Sequence, residues 1–468
     1  MGIEMKKIKL STNIIHNYEA ESDTYICCFL DDDADCIIEL SGQASSAFKN
    51  IIDGDLSKLD SESMPVAQKL LELGILQSET NSDATLDNAD LQNKLTPEFN
   101  ELGIKLKTYD ELYSPELAAY GFTTLTATNS SSYCDSSWLM NNKADLKRAN
   151  LWFLQNSKKL DLHSFKREWS LPFKEILPKF YTCSFLTYKK NTAFGIYTSN
   201  DQLTSLTVSL IEALERIVFI EKKLENSNGC AMHTDPVLCE ENAINELKER
   251  DLYMRIHFSG ASVEVFDIKP DTIEHFATKE LAKLGVDLKF GIMASSQEEI
   301  AVMAIADGRG ACKGGFGVFL GFGVAKDLSQ ATAKAFNECI RFIDGFFSND
   351  FPYAPLSFDQ FSSLSKVGVD EHISLSMDYN YSSFLLEKYT ANKSLKFPAP
   401  KNPKIKSYVE KVELQGMPSC PLYFSKAESD DLINPTFSND PNHSFLKGHL
   451  PEENILKFNN KTAFHILG

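Results

Sequence analysis

Apolar and polar positions in the first eighty residues predict strands followed by two helices. The apolar runs TYICCFL and CIIEL are separated by the acidic turn DDDAD, a pattern that is typical of a β-hairpin. Two amphipathic helices are then expected, SGQASSAFKNIIDGD with Ser41 as its N-cap and MPVAQKLLELGIL ending at Gly74. We therefore assign residues 1–80 to a small winged-helix-like domain.

Residues 81–97 are polar and nearly free of large apolar side chains, so they are expected to form a linker. The large domain then covers residues 98–468. Its helical patterns are NKADLKRANLWFLQNSKK, DTIEHFATKELAKLG and QATAKAFNECIRFIDGFF, the last with Ser329 as its cap. A hairpin is expected in FYTCSFLTYKKNTAFGIYT, and strands in MRIHFSGASVEVFDI, VDLKFGIMAS and IAVMAIAD. The fold class is α+β, with mixed sheets in the large domain.

One pattern of two glutamates and an arginine occurs twice in this large domain. It consists of Glu212, Glu215 and Arg216 in SLIEALERI, and of Glu246, Glu249 and Arg250 in AINELKERD. Residues three and four apart share one face of a helix, so each segment projects two carboxylates together. Four such carboxylates side by side would repel one another, and the usual remedy is a hard divalent cation such as Mg²⁺, which also binds phosphate oxygens. The pattern therefore suggests Mg²⁺ with a nucleotide, and two solvated, salt-bridged helices are the alternative.

Composition and charge narrow the class of protein. Apolar residues make up 43% of the 468 residues, which suits a globular chain of two or three domains. We see no apolar run of about eighteen residues and no apolar region of a secretory signal, so a cytoplasmic protein outside the membrane is expected. The net charge of −18 argues against general nucleic-acid binding. Ten cysteines and nine histidines show no metal-ligand spacing, so reduced thiols are expected.

Three segments of the large domain form a recognisable set: the helix ending in EALER, the SNG turn with the ELxERD helix after it, and GFGVAKDLSQATAKAFNE. Together they resemble the YcaO family, whose members are ATP-dependent enzymes that modify backbone amides of ribosomally made peptides. These segments cover the middle third of the chain in the order of the family. The resemblance implies a YcaO-type α/β domain that binds ATP and Mg²⁺.

The resemblance also implies roles for individual residues. The carboxylates that would hold Mg²⁺ around ATP are Glu212, Glu215, Glu246 and Glu249. The residues that would contact the nucleotide are Ser209, Ser227, Asn228, Arg250, Lys334, Glu338 and Arg341.

Some positions depart from the family pattern. The serine expected four residues before the first glutamate is Val208 here, with Ser209 one place later. The arginine and glutamine of the third segment are replaced by Lys334 and Arg341, and the GKG-type turn is GIYT at Gly195. Because the four carboxylates are kept, we expect an active enzyme rather than a degenerate copy.

The N-terminal domain resembles the PqqD-like element that recognises precursor peptides. A winged helix more often binds DNA, but residues 1–77 hold six Lys and no Arg against fourteen Asp and Glu, which disfavours that role. The resemblance implies that a leader peptide adds as a strand to the small sheet. Further expected partners are a ubiquitin-activating-like protein, a flavin dehydrogenase and a second copy of the chain.

The implied reaction is ATP-driven cyclodehydration of Cys, Ser or Thr to thiazoline or oxazoline in a bacteriocin-like precursor. Thioamide or amidine formation is the alternative within the enzyme class, because the chain ends in TAFHILG where many azoline-forming members have a Pro-rich end. From a different class, a non-catalytic adaptor that delivers the precursor to another enzyme is the second alternative.

Overall fold

A computed structural model shows how most of the chain folds. The residues that it describes are 8–10, 14–19, 23–29, 37–53, 63–73, 75–78, 99, 102, 104–107, 143–295, 299–312, 315–348, 353–391, 402–435, 437, 440 and 443–466. The expected linker and the DDDAD turn lie outside these residues. The chain forms two compact units, the first built from Met1–Lys166, Thr182–Ile217 and Lys411–Leu422, and the second from Arg167–Tyr181, Val218–Glu410 and Tyr423–Gly468.

Among its described residues, the N-terminal part of the first unit holds six short strands and two helices. They are β1 Ile8–Leu10, β2 Ile14–Glu19, β3 Thr24–Phe29, β4 Ile37–Leu40, α1 Gln43–Ile52, α2 Ser63–Glu72, β5 Leu76–Ser78 and β6 Ile104–Lys107. Strands β2, β3, β4 and β6 form one antiparallel sheet in that order, and β1 pairs with β5. Helices α1 and α2 cover the sheet with Ala47, Phe48, Val66 and Leu70, all fully buried.

Two features of this part differ from the sequence-based expectations. The N-cap of α1 is Gly42, with a φ of 54° and no side-chain cap, rather than Ser41. Strand β6 lies within the range that the sequence assigns to the large domain, but it pairs with β4, and Phe99 and Ile104 join the N-terminal core. Ile104–Lys107 therefore completes the small N-terminal sheet, and Phe99 packs in its core.

The rest of the first unit is a helix and a three-stranded sheet followed by the first glutamate helix. The elements are α3 Lys143–Gln155, β7 His163–Lys166, β8 Phe180–Tyr188, β9 Asn191–Ser199 and α4 Gln202–Glu221, with the sheet in the order β7-β8-β9. The hairpin and both helices match the expectation from sequence.

The second unit contains the remaining elements. They are β10 Cys230–His233, α5 Pro236–Ser259, β11 Glu264–Phe266, α6 Ile273–Lys283, β12 Asp287–Ser295, β13 Ile300–Asp307, β14 Val318–Ala325, α7 Leu328–Ser348, α8 Phe358–Ser363, α9 Val369–Ser376, α10 Tyr379–Tyr389, β15 Lys406–Lys411, β16 Tyr423–Glu428, β17 Lys457–Phe458 and β18 Lys461–Thr462. One antiparallel sheet has the order β11-β12-β13-β14, and a second has the order β10-β16-β15. Over the described residues, no helix has both the length and the apolar character needed to cross a membrane.

The larger sheet is covered on both faces, which explains the nearly continuous apolar sequence of β13. The C-terminal half of α5 and helices α8 to α10 pack on one face. Helix α7 packs on the other face against Gly321 and Gly323 of β14. A Cβ on Gly321 would lie 2.2 Å from the Ala335 carbonyl oxygen, so only glycine lets the helix backbone come this close.

Two helix boundaries correct the sequence-based expectations. The segment MRIHF, which alternates like a strand, forms the last turns of α5, because its apolar side chains are buried in the core of the second unit. Asp327 caps α7 through a 2.9 Å bond from the Gln330 amide to Oδ1, whereas Ser329 lies inside the helix.

Histidines are buried around the segment Ala463–Ile466 of the second unit. His372 donates from Nδ1 to the His465 carbonyl oxygen at 2.7 Å, and its Nε2 has no partner among the described residues. Burial lowers the pKa of His372 to about 4, with a smaller opposing effect of the bond to His465. The ring is therefore held neutral, since a proton on Nε2 would be buried without an acceptor.

We predict that Gly321→Ala destabilises the second unit by about 1–3 kcal/mol or more, because the added methyl group overpacks the contact with α7. Thermal or urea unfolding measures the change. Gly368→Ala is the control, since a Cβ there meets only Glu371 Oε2 at 3.5 Å and should cost far less. Equal stability of the two variants would contradict the close approach of β14 and α7.

We predict that His372→Phe makes the free energy of unfolding fall less steeply as the pH is lowered. The unfolded histidine takes up a proton near pH 6.5, whereas the folded one resists protonation down to about pH 4. Its stabilising effect is therefore complete above pH 6.5 and is lost as the pH falls towards 4, by about 3 kcal/mol. Urea unfolding between pH 4 and 7 gives the slope for each variant. The exposed His163→Gln should keep the wild-type slope. A wild-type slope in His372→Phe would disprove the assignment.

Candidate functional site

Helix α5 carries the second pair of glutamates. Asp235 caps its N-terminus by accepting from the Val237 and Leu238 amides at 2.7 and 3.1 Å, and Gly260 ends it in the left-handed conformation. Glu246 and Glu249 lie one turn apart in the middle of this helix. Both are half-buried, and 31% of the Glu246 side chain remains exposed.

A third glutamate lies on α7 next to β14. The amide of Phe322 donates to Glu338 Oε2 at 2.5 Å, sixteen residues apart in the chain. This bond forms because Gly321, the residue before Phe322, lets α7 lie directly on the strand. We call Gly321, Phe322 and Glu338 the second strand–helix clamp, because an equivalent one occurs earlier in the chain and is described below. The clamp fixes the orientation of the Glu338 carboxylate.

The structure brings the carboxylates of Glu246, Glu249 and Glu338 into one electrostatic group. Burial raises the pKa of both Glu246 and Glu249 to about 7, opposed first by the Arg250 guanidinium, while Glu338 raises both values further. Although burial disfavours its charge, the three carboxylates raise the pKa of Arg250. The three carboxylates are therefore partly removed from water, and the Arg250 guanidinium offsets part of their negative charge. Such an arrangement suits the binding of a further cation.

The SNG turn at Ser227 to Gly229 lies against this group. The Gly229 amide bonds to the Glu246 carboxylate, and the Gly229 carbonyl accepts from the Ala427 amide at 2.7 Å. Gly229 has a φ of 71°, and a Cβ there would lie 2.5 Å from the Ala427 carbonyl oxygen, so this position requires glycine. The turn therefore joins β16 to the second glutamate pair.

Two buried polar atoms at this place have no partner among the described residues. Asn228 is only 5% exposed and donates from Nδ2 to Asn434 Oδ1 at 2.7 Å, but its own Oδ1 is unpartnered. Arg250 Nη1 is also buried without a hydrogen-bond partner. Buried polar atoms normally have partners, so these two atoms indicate a place for a polar ligand.

The remaining predicted contacts of the second unit are also located. Ser227 is exposed on the turn. Lys334 donates to the Val324 carbonyl oxygen at 2.6 Å, and burial lowers its pKa to about 8 while Glu249 opposes the shift. Arg341 donates from Nε to the Asn337 carbonyl oxygen at 3.1 Å, one turn earlier in α7.

The first glutamate pair belongs to α4 and is held by a clamp of the same spacing in the first unit. The Ile196 amide donates to Glu212 Oε2 at 2.8 Å, again sixteen residues apart, and follows Gly195, whose Cβ would lie 2.0 Å from the Ser209 carbonyl oxygen. Gly195, Ile196 and Glu212 form the first strand–helix clamp. Gly195 therefore lies within strand β9 rather than in the turn that the sequence suggested.

The other residues of α4 have distinct surroundings. Arg216 bonds from Nη2 to Glu212 Oε1 at 2.8 Å and stacks on the Phe194 ring, and Glu215 is half-buried on the same face. Ser209 is fully buried, with its hydroxyl bonded to Ser184 Oγ at 2.6 Å and to the Leu206 carbonyl oxygen at 2.8 Å. This hydroxyl is engaged inside the first unit.

The carboxylates fit a magnesium ion that is completed by phosphate oxygens. Among the described residues, no group of three or more His, Cys, Asp or Glu side chains is close enough to hold a metal ion by itself. Mg²⁺ usually takes one or two carboxylates and fills its other positions with water and substrate phosphates. The desolvated glutamates and the unpartnered atoms of Asn228 and Arg250 match that kind of site.

Sequence reasoning missed two residues of this region, Lys426 and Asn434. Lys426 lies on β16 and is 4% exposed, and it opposes the rise in the pKa of Glu246. Neither residue belongs to a motif, and both reach the SNG turn from about two hundred residues away. The position of Lys426 inside the strand YFSKAE was the one signal for a buried cation.

Comparisons with known proteins identify a family for part of the chain. The family model described as YcaO cyclodehydratase, ATP- and Mg²⁺-binding, matches residues 204–422. No curated protein matches the chain in sequence.

The solved structures that are similar to the chain include the following three. The E. coli microcin synthetase McbBCD complex with pro-MccB17 bound shares 12% identity at a TM-score of 0.41, covering 57% of this chain and 87% of that one. YcaO from Methanopyrus kandleri bound with AMPPCP and Mg²⁺ shares 9% identity at a TM-score of 0.39, covering 60% and 90%. A heterocyclase in complex with substrate and cofactor shares 15% identity at a TM-score of 0.32, covering 50% and 32%.

The family match contains the SNG turn, both glutamate pairs, Arg250 and Glu338. Residues 204–422 of this chain therefore form a YcaO domain, the ATP- and Mg²⁺-binding domain of the YcaO cyclodehydratases, and the chain is an ATP-dependent enzyme of the cyclodehydratase type.

Proposed function

We propose that the chain uses ATP and Mg²⁺ to modify backbone amides of a ribosomally made precursor peptide, with azoline formation as the reaction. The observation that carries the proposal is the group of half-buried carboxylates beside the SNG turn, where Asn228 Oδ1 and Arg250 Nη1 have no partner among the described residues. The family match adds support, because the described pattern lies inside it.

In this reaction the side-chain S–H or O–H of a Cys, Ser or Thr attacks the carbonyl carbon of the preceding amide. The amide oxygen takes the terminal phosphoryl group of ATP and leaves as phosphate, which gives a thiazoline or oxazoline, ADP and a released proton. Such a transfer depends mainly on positioning and on neutralisation of phosphoryl charge.

Residues of this chain would supply the positioning. Glu246 and Glu249 would bind Mg²⁺, and the first pair, Glu212 and Glu215, would do the same from α4. The metal would supply the positive charge that offsets the phosphates. Asn228, Arg250 and Lys334 would bind the nucleotide, and Glu338, held by the Phe322 amide, would keep Arg250 oriented.

We predict that Glu246→Gln or Glu249→Gln reduces Mg²⁺-dependent ATP turnover by roughly 100-fold or more, the upper end of what is lost when support of a metal site is removed. The variants should stay folded, because a neutral amide avoids the desolvation cost that raises the pKa of each carboxyl. Turnover is measured as ADP release, and folding by thermal unfolding.

The matched control is Glu241→Gln, which makes the same change at an exposed position of α5. Its ATP turnover should equal that of the wild type. Wild-type turnover in both site variants would remove the metal assignment.

We also propose that the N-terminal part of the first unit binds the leader peptide by strand addition. Its sheet presents β2 and β6 as the outer strands of the order β2-β3-β4-β6. An outer strand can pair with an extended peptide through its backbone. The excess of acidic residues over residues 1–77 supports a peptide ligand rather than DNA.

We predict that removing residues 1–107 weakens leader binding but leaves binding of Mg²⁺ and ATP intact. The cut follows β6 because that strand completes the N-terminal sheet. Leader affinity is measured by fluorescence polarisation, and precursor modification by mass spectrometry at several peptide concentrations. Modification should recover at high peptide concentration, since the leader raises local concentration only.

The leader proposal fails if the shortened chain keeps full affinity for the leader, or if residues 1–107 prefer duplex DNA.

The mass of the product distinguishes the alternative reactions. Loss of water indicates azoline or amidine formation, and exchange of oxygen for sulfur indicates a thioamide. An adaptor would bind the precursor without consuming ATP.

A further inference from the structure

Lys426 of β16 lies directly behind the SNG turn. It is 4% exposed, and its ammonium donates to the carbonyl oxygen of Asn228 and to the carbonyl oxygen and Oδ1 of Asn226, the latter two at 3.3 Å. The next residue of the strand, Ala427, donates its amide to Gly229 at 2.7 Å. Two consecutive residues of β16 therefore bind the backbone of the turn.

The hydrogen bonds of Lys426 account for all of its donors. An ammonium group has three N–H donors and no acceptor, and three acceptors surround Nζ. No donor is left for a phosphate of a nucleotide. This buried lysine therefore differs from a lysine that binds phosphate directly, although it lies beside the nucleotide turn.

The side chain of Asn228 is oriented from a second direction. Asn228 Nδ2 donates to Asn434 Oδ1 at 2.7 Å. The loop before Asn434 is bound to α5, because the Ile433 amide donates to Asp251 Oδ1 at 2.7 Å and the Arg255 guanidinium bonds to the same buried carboxylate. The amide of Asn228 is thus held by a chain of contacts that ends on the glutamate helix.

The turn also transmits its position to the carboxylates. The Gly229 amide bonds to Glu246, so a displaced turn would displace a donor to that carboxylate. Lys426 also acts on Glu246 by charge: after desolvation and Arg250, it is the next largest influence on that carboxyl. The turn and the glutamate therefore depend on the same buried ammonium.

We propose that Lys426 is a positioning residue of the nucleotide site, which fixes the SNG turn from behind so that Asn228 Oδ1 and Glu246 face the Mg²⁺-bound nucleotide. This assignment rests on the proposed function. Lys426 acts through Asn228 and Glu246 and does not itself touch the nucleotide. Asn434 supports the same side chain from the other direction.

The test is the affinity for a non-hydrolysable ATP analogue with Mg²⁺, measured by isothermal titration calorimetry on the full chain. Lys426→Met should raise the Kd by about 10-fold or more, as expected for loss of a residue that orients a ligand-binding group. Lys426→Arg keeps the charge and should recover much of the affinity. Lys406→Met is the matched control, because it removes the same charge from an exposed position of β15 in the same sheet, and should leave the Kd unchanged.

A second variant covers the case in which Lys426→Met does not fold. Asn434→Ala removes the acceptor of Asn228 Nδ2, and it should raise the Kd of the analogue in the same direction. The double variant should lose less than the product of the two single losses, because both residues act on Asn228. Affinity for the leader peptide should stay at the wild-type value in each folded variant, and thermal unfolding shows whether the second unit keeps its stability.

An unchanged Kd in folded Lys426→Met, or in Asn434→Ala when Lys426→Met is unfolded, overturns the assignment. An equal loss of affinity for the nucleotide analogue and for the leader also overturns it, since that result indicates a merely structural role. If the wild-type chain fails to bind the analogue, the proposed function falls first and the assignment falls with it. If the wild type binds the analogue and both variants bind it with the same Kd, only the role assigned to Lys426 fails, and the proposed function stands.

Discussion

A glycine in a strand, followed by a residue whose amide binds a helix glutamate, is the constraint on which the orientation of these glutamates depends. Among the described residues, the first unit shows it with Ile196 bonded to Glu212 and the second unit with Phe322 bonded to Glu338, and both bonds join residues sixteen apart. The close approach of helix and strand removes water from one side of the carboxylate and gives it a fixed donor. Any side chain in place of Gly195 or Gly321 would collide with the helix backbone.

Holding the charged carboxylates in this partly buried place would cost free energy of folding if no positive charge lay nearby. In the second unit, burial raises the pKa of Glu246 and Glu249, and Arg250, Lys334 and Lys426 supply the positive charge around them. Such a balance keeps the helix folded before any ligand binds, while part of the negative charge remains available to a metal. The SNG turn keeps its shape beside these charges because Asn434 binds the side chain of Asn228, and Asp251 binds the amide of Ile433 next to Asn434.

Helical spacing was sufficient to predict the glutamate helices, because their apolar stripes and the repeated carboxylate pairs are local properties of the sequence. The strand-like alternation of MRIHF was misleading, since these residues are buried on the last turns of α5 by packing that sequence spacing does not reveal. Lys426 and Asn434 could not be predicted, because they reach the SNG turn through tertiary contacts from distant parts of the chain. The pairing of β6 with β4 was hidden for the same reason.

Anomalous diffraction from crystals grown with Mn²⁺ and a non-hydrolysable ATP analogue tests the central claim most directly, because Mn²⁺ takes the oxygen ligands of Mg²⁺ and its position can be read from the anomalous map. If the second glutamate pair binds the metal, the map shows a metal peak coordinated by Glu246 or Glu249 and by phosphate oxygens, with the analogue in contact with Asn228. A metal and nucleotide bound away from these residues, or no anomalous peak beside a well-ordered analogue, would disprove this assignment of the site.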